Sequence, residues 1–229
     1  MPSALVTGGS SGIGFAIARM LRDEGYDVTV VSRTREKVEA AAAGLGAHAV
    51  TANMGSEEDC IRAVAEHRDR FGGMDVLVNS AGLGIGGRVE SLQAKHIDLQ
   101  LNINLRGLLL VSREAIPLLR ETKGWIFNLA SIAGTVPTPG LTVYGATKAA
   151  VIALTRSQNL ELDADGVRAV AICPGFVDTP MAEWSGLAPE EMIQPQDCAE
   201  IVRMCLRLSP RARIPQVIVE RVGSTDLVG

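Results

Sequence analysis

The stretch from residue 7 to residue 14 reads Thr7-Gly8-Gly9-Ser10-Ser11-Gly12-Ile13-Gly14, and it connects a short apolar run, Ala4–Thr7, to a segment of helical periodicity, Gly12–Glu24. Doubly wound α/β sheets bind ligands where a strand turns into a helix. Glycines there let the backbone approach a pyrophosphate, and the helix N-terminus attracts its charge. No Lys-Ser/Thr pair follows, so the stretch is not a P-loop. It predicts a dinucleotide site, the alternative being an ordinary glycine-rich turn.

The rest of the chain repeats the same alternation of strands and helices. The predicted strands are Ala4–Thr7, Asp27–Ser32, Ala47–Thr51, Val76–Asn79, Trp125–Ala130, Val167–Cys173 and Gln216–Glu220. The predicted helices are Gly12–Glu24, Arg35–Ala43, Ser56–Phe71, Leu92–Arg120, Val143–Leu162 and Gln196–Leu208. Strands that each follow a helix indicate a parallel sheet wound in both directions. Without a linker or repeat, residues 1–229 are predicted to form one α/β domain with a doubly wound parallel sheet of the Rossmann type.

Composition excludes several classes of partner. The net charge of −4 and the pI near 5.5 leave no basic excess for a nucleic-acid backbone, so no nucleic acid is expected as a partner. The longest apolar runs, such as Leu108–Val111, are far too short to span a bilayer, so no membrane association is expected. No basic segment precedes Ala4–Val6, which argues against a secretory signal and predicts a cytoplasmic protein.

The four cysteines show no paired spacing. We therefore expect buried, reduced thiols rather than a disulfide or a metal site, and no metal is predicted. The cysteines are Cys60, Cys173, Cys198 and Cys205.

The end of the second strand indicates which dinucleotide is bound. In NAD enzymes an acidic residue about 20 residues past the glycines bonds the ribose 2′-hydroxyl, whereas arginine accommodates the 2′-phosphate of NADP. Here the chain reads Ser32-Arg33-Thr34-Arg35, and the nearest acid, Asp27, lies at the wrong end of the strand. Ser32, Arg33 and Arg35 therefore favour NADP(H), with NAD(H) the less favoured cofactor. The alternative for Arg33 is a solvated loop position.

A Tyr-x-x-x-Lys segment opens the fifth predicted helix. The i, i+4 spacing places Tyr144 and Lys148 on one helical face, about 6 Å apart along the axis. A neighbouring ammonium favours the phenolate and can lower the pKa of a tyrosine by about 1–3 units. Such a pair is often structural, so its companions matter. Ser131 ends the fifth strand at the ligand edge of the sheet, where its hydroxyl can donate to a substrate oxygen.

Asn104 is a polar residue inside a largely apolar helix. Asparagine is unfavourable there and needs a reason, of which a surface position would be one.

Taken together, these motifs resemble the short-chain dehydrogenase/reductase family in its compact single-domain branch. Residues 7–14 are similar to the cofactor fingerprint of the family, and Asn79-Ser80-Ala81-Gly82 resembles its Asn-Asn-Ala-Gly turn, with Ser80 in place of the second Asn. Residues 174–181 resemble its nicotinamide-side loop. The four residues that match its catalytic set are Asn104, Ser131, Tyr144 and Lys148. The similarity covers nearly the whole chain.

The resemblance implies an oxidoreductase that transfers a hydride between NADP(H) and a ketone, an aldehyde or a secondary alcohol. Tyr144 would be the acid/base, Ser131 would hold the substrate oxygen, and Lys148 would lower the tyrosine pKa and bind the nicotinamide ribose. Asn104 would anchor a water that connects Lys148 to solvent. The predicted cofactor contacts are Gly8, Ser10, Ser11, Gly12, Ile13, Gly14, Ser32, Arg33, Asn53, Met54, Asn79, Ala81, Gly82, Tyr144, Lys148, Pro174, Gly175, Val177 and Thr179.

Three places depart from the family pattern or vary within it. Asn53 stands where an Asp usually lies beside the adenine, so altered adenine affinity is expected. The chain reads Ile218–Gly223 in place of the usual Asp-Gly-Gly segment, which leaves both a homodimer and a homotetramer possible. The substrate lid, about 179–195, is short, and Glu183 is the only charge in its first half, which favours a neutral carbonyl substrate. Side chains that could line an apolar pocket, or merely pack the loops, are Leu83, Val136, Leu141, Phe176, Met181 and Trp184.

Two other functions compete with this interpretation. A non-catalytic redox sensor could bind the dinucleotide, but such sensors tend to lose the Tyr or the Lys. An epimerase would need a sizeable substrate domain, and only 56 residues follow Cys173. The small-molecule substrate itself and the reaction direction stay open. Apolar faces on Leu92–Arg120 and Val143–Leu162 predict a homo-oligomer formed through these helices.

Overall fold

A computed structural model describes residues 1–223, which fold around a seven-stranded parallel sheet. Residues 224–229, the end of the predicted domain, lie outside the described residues. The strands are β1 (Ser3–Thr7), β2 (Asp27–Ser32), β3 (His48–Thr51), β4 (Val76–Asn79), β5 (Trp125–Leu129), β6 (Arg168–Pro174) and β7 (Gln216–Val219). Their spatial order is β3-β2-β1-β4-β5-β6-β7. The winding reverses between β1 and β4, where ligands of doubly wound sheets bind. Each observed strand boundary lies within one residue of the predicted one.

Helices cover both faces of the sheet. They are α1 (Gly12–Asp23), α2 (Arg35–Leu45), α3 (Glu57–Phe71), α4 (Ala94–Leu101), α5 (Leu108–Thr122), α6 (Thr142–Glu161) and α7 (Pro195–Leu206). Helices α1, α2 and α7 pack on one face, and α3, α5 and α6 on the other. Side chains alternate between the faces, as along any strand: Val6 packs toward α1 and Leu5 toward α3 and α5. The predicted single domain with a doubly wound sheet is confirmed.

The predicted helix Leu92–Arg120 is wrong in one respect, because it is not a single regular helix. A π-helical turn, Asn102–Gly107, separates α4 from α5. Such turns insert an extra residue and change the direction of the side chains, and they are frequent at functional sites. Here the turn carries Asn104 toward the protein interior.

The four cysteines are buried and free, as predicted. Across residues 1–223 no three metal-ligating side chains cluster as a metal site would require. No helix in the same range combines the length and the apolar character needed to cross a membrane.

Candidate active site

The glycine stretch forms a tight cradle at the carboxyl end of β1. Gly8 has φ +67°, and a Cβ on it would lie 2.9 Å from the Cα of Ala81. Gly12 has φ +52°, and its Cβ would lie 2.9 Å from the Cγ2 of Thr179. Both positions therefore exclude a side chain. The fold thus brings together three of the predicted cofactor segments, which follow β1, β4 and β6.

The backbone N–H groups in the first turn of α1 lie at this cradle. Ser11 precedes the helix in an extended conformation (φ −162°, ψ 170°), and within residues 1–223 its side chain does not cap the helix. The first N–H groups of the helix, at Gly12–Gly14, have no intrahelical acceptor and carry a positive partial charge. A diphosphate fits these donors.

Thr7 holds the cradle against the turn after β4, a role that sequence reasoning missed. Its hydroxyl accepts hydrogen bonds from the backbone N–H groups of Ser80 and Ala81, each at 3.2 Å, and donates to the carbonyl of Val78 at 3.4 Å. The signal was present in the sequence, because Thr7 begins the glycine motif. Without a tertiary structure, however, the partner of that hydroxyl could not be named.

The predicted adenosine side lies at the ends of β2 and β3. The hydroxyl of Ser10 donates to that of Ser32 at 2.9 Å, which joins the glycine cradle to the end of β2. Arg33 is exposed next to it. Asn53 is exposed after β3, and its side-chain oxygen accepts a hydrogen bond from the N–H of Gly55 at 3.0 Å. Met54 is buried.

The segment after β6 forms a loop whose two ends, near Val177 and Ile193, lie side by side. The N–H of Gly175 donates to the carbonyl of Val219 in the loop's first turn. Val177 pairs with Ile193, the N–H of Ile193 donates to the carbonyl of Phe176 at 3.0 Å, and these contacts close the loop. Between them, the side chain of Trp184 is 65% exposed and packs edge-on against Phe176, with 5.8 Å between ring centroids.

The other predicted pocket residues are placed on three different loops. Met181 is exposed on the same segment as Trp184, while the side chains of Leu83, Val136 and Leu141 are half-buried.

Asn104 is only 1% exposed, so the surface alternative for this residue is wrong. Its side-chain oxygen accepts from the N–H of Leu83 at 2.9 Å, and its amide nitrogen donates to the carbonyl of Leu83 at 2.8 Å and to the hydroxyl of Thr147 at 3.1 Å. These contacts satisfy both amide protons, which is what a buried asparagine requires.

Ser131 and Tyr144 lie together at the carboxyl edge of the sheet. Ser131 directly follows β5 and Ala130, is nearly buried, and accepts a hydrogen bond from the N–H of Ala133 at 3.2 Å. Burial raises the pKa of Tyr144 above its ordinary value, and the hydroxyl of Ser131 is close enough to lower that pKa in part. The predicted roles of both residues toward one substrate oxygen require such a proximity, and the roles themselves stay predictions.

Lys148 lies one helical turn after Tyr144 and is buried. Its ammonium donates to the carbonyl of Leu129 at 2.6 Å and lies 5.6 Å from the centroid of the Tyr144 ring. Burial lowers the pKa of Lys148 to about 8. Burial of the phenol raises the pKa of Tyr144, and the contact that lowers it in part is Ser131, so a lowering by the ammonium of Lys148 stays a prediction.

A buried polar network behind the site was also missed. The amide nitrogen of Asn79 donates to the side-chain oxygen of Asn128 at 2.9 Å, and the amide nitrogen of Asn128 donates to Thr155 and Gln158, each at 2.9 Å. The network links β4 and β5 to α6, the helix of Tyr144 and Lys148. Its sequence signal was a single asparagine inside the apolar strand β5.

Comparisons with known proteins agree with this geometry. The model of the short chain dehydrogenase family matches residues 2–188. An uncharacterized oxidoreductase of Staphylococcus epidermidis is 36% identical over 225 residues, 96% of each chain. The structure of an alcohol dehydrogenase from Thermococcus sibiricus, complexed with 5-hydroxy-NADP, superposes with a TM-score of 0.91 at 30% identity over 98% of each chain. A 3-ketoacyl-(acyl-carrier-protein) reductase from Brucella melitensis, complexed with NADH, gives 0.88 at 29% identity over 96% of each chain.

Proposed function

The chain belongs to the short-chain dehydrogenase family, and on that premise we propose that it transfers a hydride between NADP(H) and a ketone, an aldehyde or a secondary alcohol. The family and its oxidoreductase relatives support the use of a nicotinamide dinucleotide. Both NADP-type and NADH complexes occur among the similar structures, so the preference for NADP(H) rests on the residues of this chain.

One observation carries the proposal: Ser131, Tyr144 and Lys148 meet at the carboxyl edge of the sheet, the edge that also holds the glycine cradle. The phenol is the acid, and its raised pKa keeps it protonated at neutral pH. A proton donor of this kind typically contributes about 10²–10⁴-fold to the rate.

The proposed chemistry follows from these groups. A bound nicotinamide dinucleotide would supply the hydride in reduction and accept it in oxidation. Tyr144 gives its proton to the carbonyl oxygen in reduction and takes it back in oxidation, while Ser131 donates a hydrogen bond to the same oxygen. Lys148 has two proposed roles. Its ammonium lies beside the Tyr144 ring, where its charge favours the phenolate, and it has donors left beyond the hydrogen bond to Leu129 for a ribose hydroxyl of the dinucleotide.

The preference for NADP(H) is proposed from the end of β2. Ser32 already contacts the glycine cradle through Ser10, and the exposed guanidinium of Arg33 follows it directly. No carboxylate of β2 lies at this end of the strand to repel a 2′-phosphate. Arginine suits phosphate because its planar fork donates two hydrogen bonds at once.

We further propose that residues 179–195 act as a short substrate lid. The segment is closed at its base by the Val177–Ile193 pairing, and it exposes Met181 and Trp184. Exposed apolar side chains on a loop beside the site suit a neutral, largely apolar carbonyl compound.

The test is a panel of carbonyl compounds and alcohols, followed by the absorbance of the reduced nicotinamide. Once the panel has identified a substrate, Tyr144→Phe should lose almost all turnover and still bind NADPH, because the ring fills the same space and only the proton donor is gone. Tyr26→Phe, which changes the one other tyrosine of the chain, is the matched control and should keep turnover.

Two outcomes would contradict the proposal. Near wild-type turnover by Tyr144→Phe would overturn the role of the tyrosine. A wild-type protein that binds NADPH tightly but reduces no carbonyl compound would point to the redox sensor instead.

A further inference from the structure

The backbone of residues 82–84 passes directly over the proposed catalytic groups. A Cβ on Gly82 would lie 3.5 Å from the Nζ of Lys148, and a Cβ on Gly84 would lie 3.4 Å from the Cδ2 of Tyr144. Leu83, between the two glycines, is fixed by both of its backbone polar groups to the side-chain amide of Asn104. The amide of Asn104 therefore sets how closely this segment approaches both the phenol and the ammonium.

A second residue holds the amide of Asn104. Thr147 is 1% exposed, and its hydroxyl accepts the second amide proton of Asn104 at 3.1 Å. The same hydroxyl donates its only proton to the backbone carbonyl of Tyr144 at 2.7 Å. A hydroxyl that donates to a carbonyl is fixed in orientation, so its lone pairs face the amide.

We propose that Thr147 is a positioning residue for Tyr144. A closed chain of contacts leads from the backbone of Tyr144 through Thr147, Asn104 and Leu83 to the backbone of Gly84, which lies against the Tyr144 ring. The hydroxyl of Thr147 keeps the segment 82–84 in place over the half-buried ring, and so keeps the phenol aligned and limits its contact with water. This inference rests on the proposed role of Tyr144 as the acid/base.

Removal of the hydroxyl alone should break this chain of contacts. Thr147→Val keeps the shape of the side chain and leaves one buried amide proton of Asn104 without an acceptor. Because an unpaired buried donor is costly, the amide should turn toward another partner and release Leu83. The half-buried Tyr144 ring then gains contact with water, and its pKa elevation, which burial causes, becomes smaller. Thr147→Ser retains the hydroxyl and should behave like the wild type.

The chain offers a matched control on the same helix. Thr155 is also a buried threonine of α6, whose hydroxyl accepts an asparagine amide proton at 2.9 Å and donates to the carbonyl of Val151 at 2.7 Å. Its partner is Asn128 in the network behind the site, not Asn104. Thr155→Val should therefore reduce stability in the same way without an effect on Tyr144.

The first measurement does not depend on activity. The chain has two tyrosines, so in a Tyr26→Phe background the phenolate absorbance near 295 nm reports Tyr144 alone. Across the pH range in which the near-ultraviolet circular dichroism stays native, ionisation should begin at least about one pH unit lower in Thr147→Val. Thr147→Ser and Thr155→Val should ionise like the background protein. Thr147→Ala replaces the valine variant if that protein does not fold.

The second measurement uses the substrate found by the panel. Thr147→Val should lower kcat about 10- to 100-fold and leave the dissociation constant of NADPH within about threefold, because misalignment affects the chemical step. An unchanged phenol titration together with a wild-type kcat would overturn the proposal, as would equal effects of Thr155→Val. Failure of the proposed function would show differently, as full turnover by Tyr144→Phe.

Discussion

The ammonium of Lys148 donates a 2.6 Å hydrogen bond to the backbone carbonyl of Leu129, at the end of β5, from a position with almost no exposure to solvent. A buried ammonium is unfavourable unless it has compensating partners. Burial accordingly lowers the pKa of Lys148 to about 8. The charged ammonium of Lys148 therefore lowers the free energy of unfolding of the protein.

We predict that Lys148→Met is more stable than the wild type at pH 7 in the absence of dinucleotide, by about 1–3 kcal/mol. The pKa of Lys148 is lower in the folded state than the unfolded value near 10.5, so the burial penalty is complete below pH 8. The burial penalty diminishes as the pH rises toward about 10.5, so the difference in the free energy of unfolding between Lys148→Met and the wild type should become smaller. Urea unfolding at pH 7 and pH 10 measures both effects, and a variant that is less stable at pH 7 would contradict the prediction.

His67 should make the fold sensitive to acid. Its ring is fully buried, with Nδ1 at 2.8 Å from the hydroxyl of Thr29 and Nε2 at 3.3 Å from that of Ser3. Burial lowers the pKa of His67 to about 4. The folded pKa is below the unfolded value near 6.5. The neutral His67 ring therefore contributes fully to the free energy of unfolding above pH 6.5, and about 3 kcal/mol of that free energy is lost by pH 4.

Urea midpoints between pH 7 and pH 4.5 test this prediction. His67→Leu should be less stable than the wild type at pH 7 but should show a flatter pH dependence. Burial also lowers the pKa of His48, which is half-buried in β3. Both proteins should therefore keep a smaller loss of stability with falling pH that comes from His48. Equal slopes for the variant and the wild type would refute the role of His67.

Arg33→Ala should weaken the binding of NADPH about 10-fold and leave that of NADH nearly unchanged, because only NADPH carries the 2′-phosphate. Fluorescence titration of the reduced nicotinamide gives both dissociation constants. Lys37→Ala removes the same charge from an exposed position in α2 and serves as the control. A wild-type preference for NADH would contradict the assignment.

On assembly, we predict a homodimer or homotetramer that associates through α4, α5 and α6. Leucines with substantial exposure lie along these helices: Leu99, Leu101, Leu109 and Leu160. Light scattering at micromolar concentration should give a multiple of the 24.2 kDa chain mass. The double variant Leu109→Glu, Leu160→Glu should shift the mass toward the monomer, and a monomeric wild type would refute the prediction.

Much of the architecture was predictable because its signals are local. The strand boundaries follow from short β-branched runs, since residues buried on both faces of a parallel sheet must all be apolar. The glycine stretch after β1 predicted a turn from strand to helix, which the positive φ of Gly8 and Gly12 now explains. The Tyr144–Lys148 pair follows from helical spacing alone.

The site could be predicted only in part, because several of its properties depend on partners distant in sequence. A surface position was one possible explanation for Asn104 inside its helix, yet a π-helical turn carries this residue inside to Leu83 and Thr147. The pKa of Tyr144 was expected to fall beside Lys148. Burial of the phenol, which no local pattern shows, raises it instead.

The sequence by itself therefore determined the order of strands and helices, apart from the π-helical turn between α4 and α5, together with the parallel sheet and the side chains proposed to react. Each of these depends on residue type and spacing within one segment, over which propensity and periodicity act. The tertiary structure alone decided which of those side chains meet, which are shielded from water, and how their pKa values shift. Desolvation and hydrogen bonding depend on the atoms that surround a group in space, and around Tyr144 those atoms come from the loops after β4 and β5 as well as from α6.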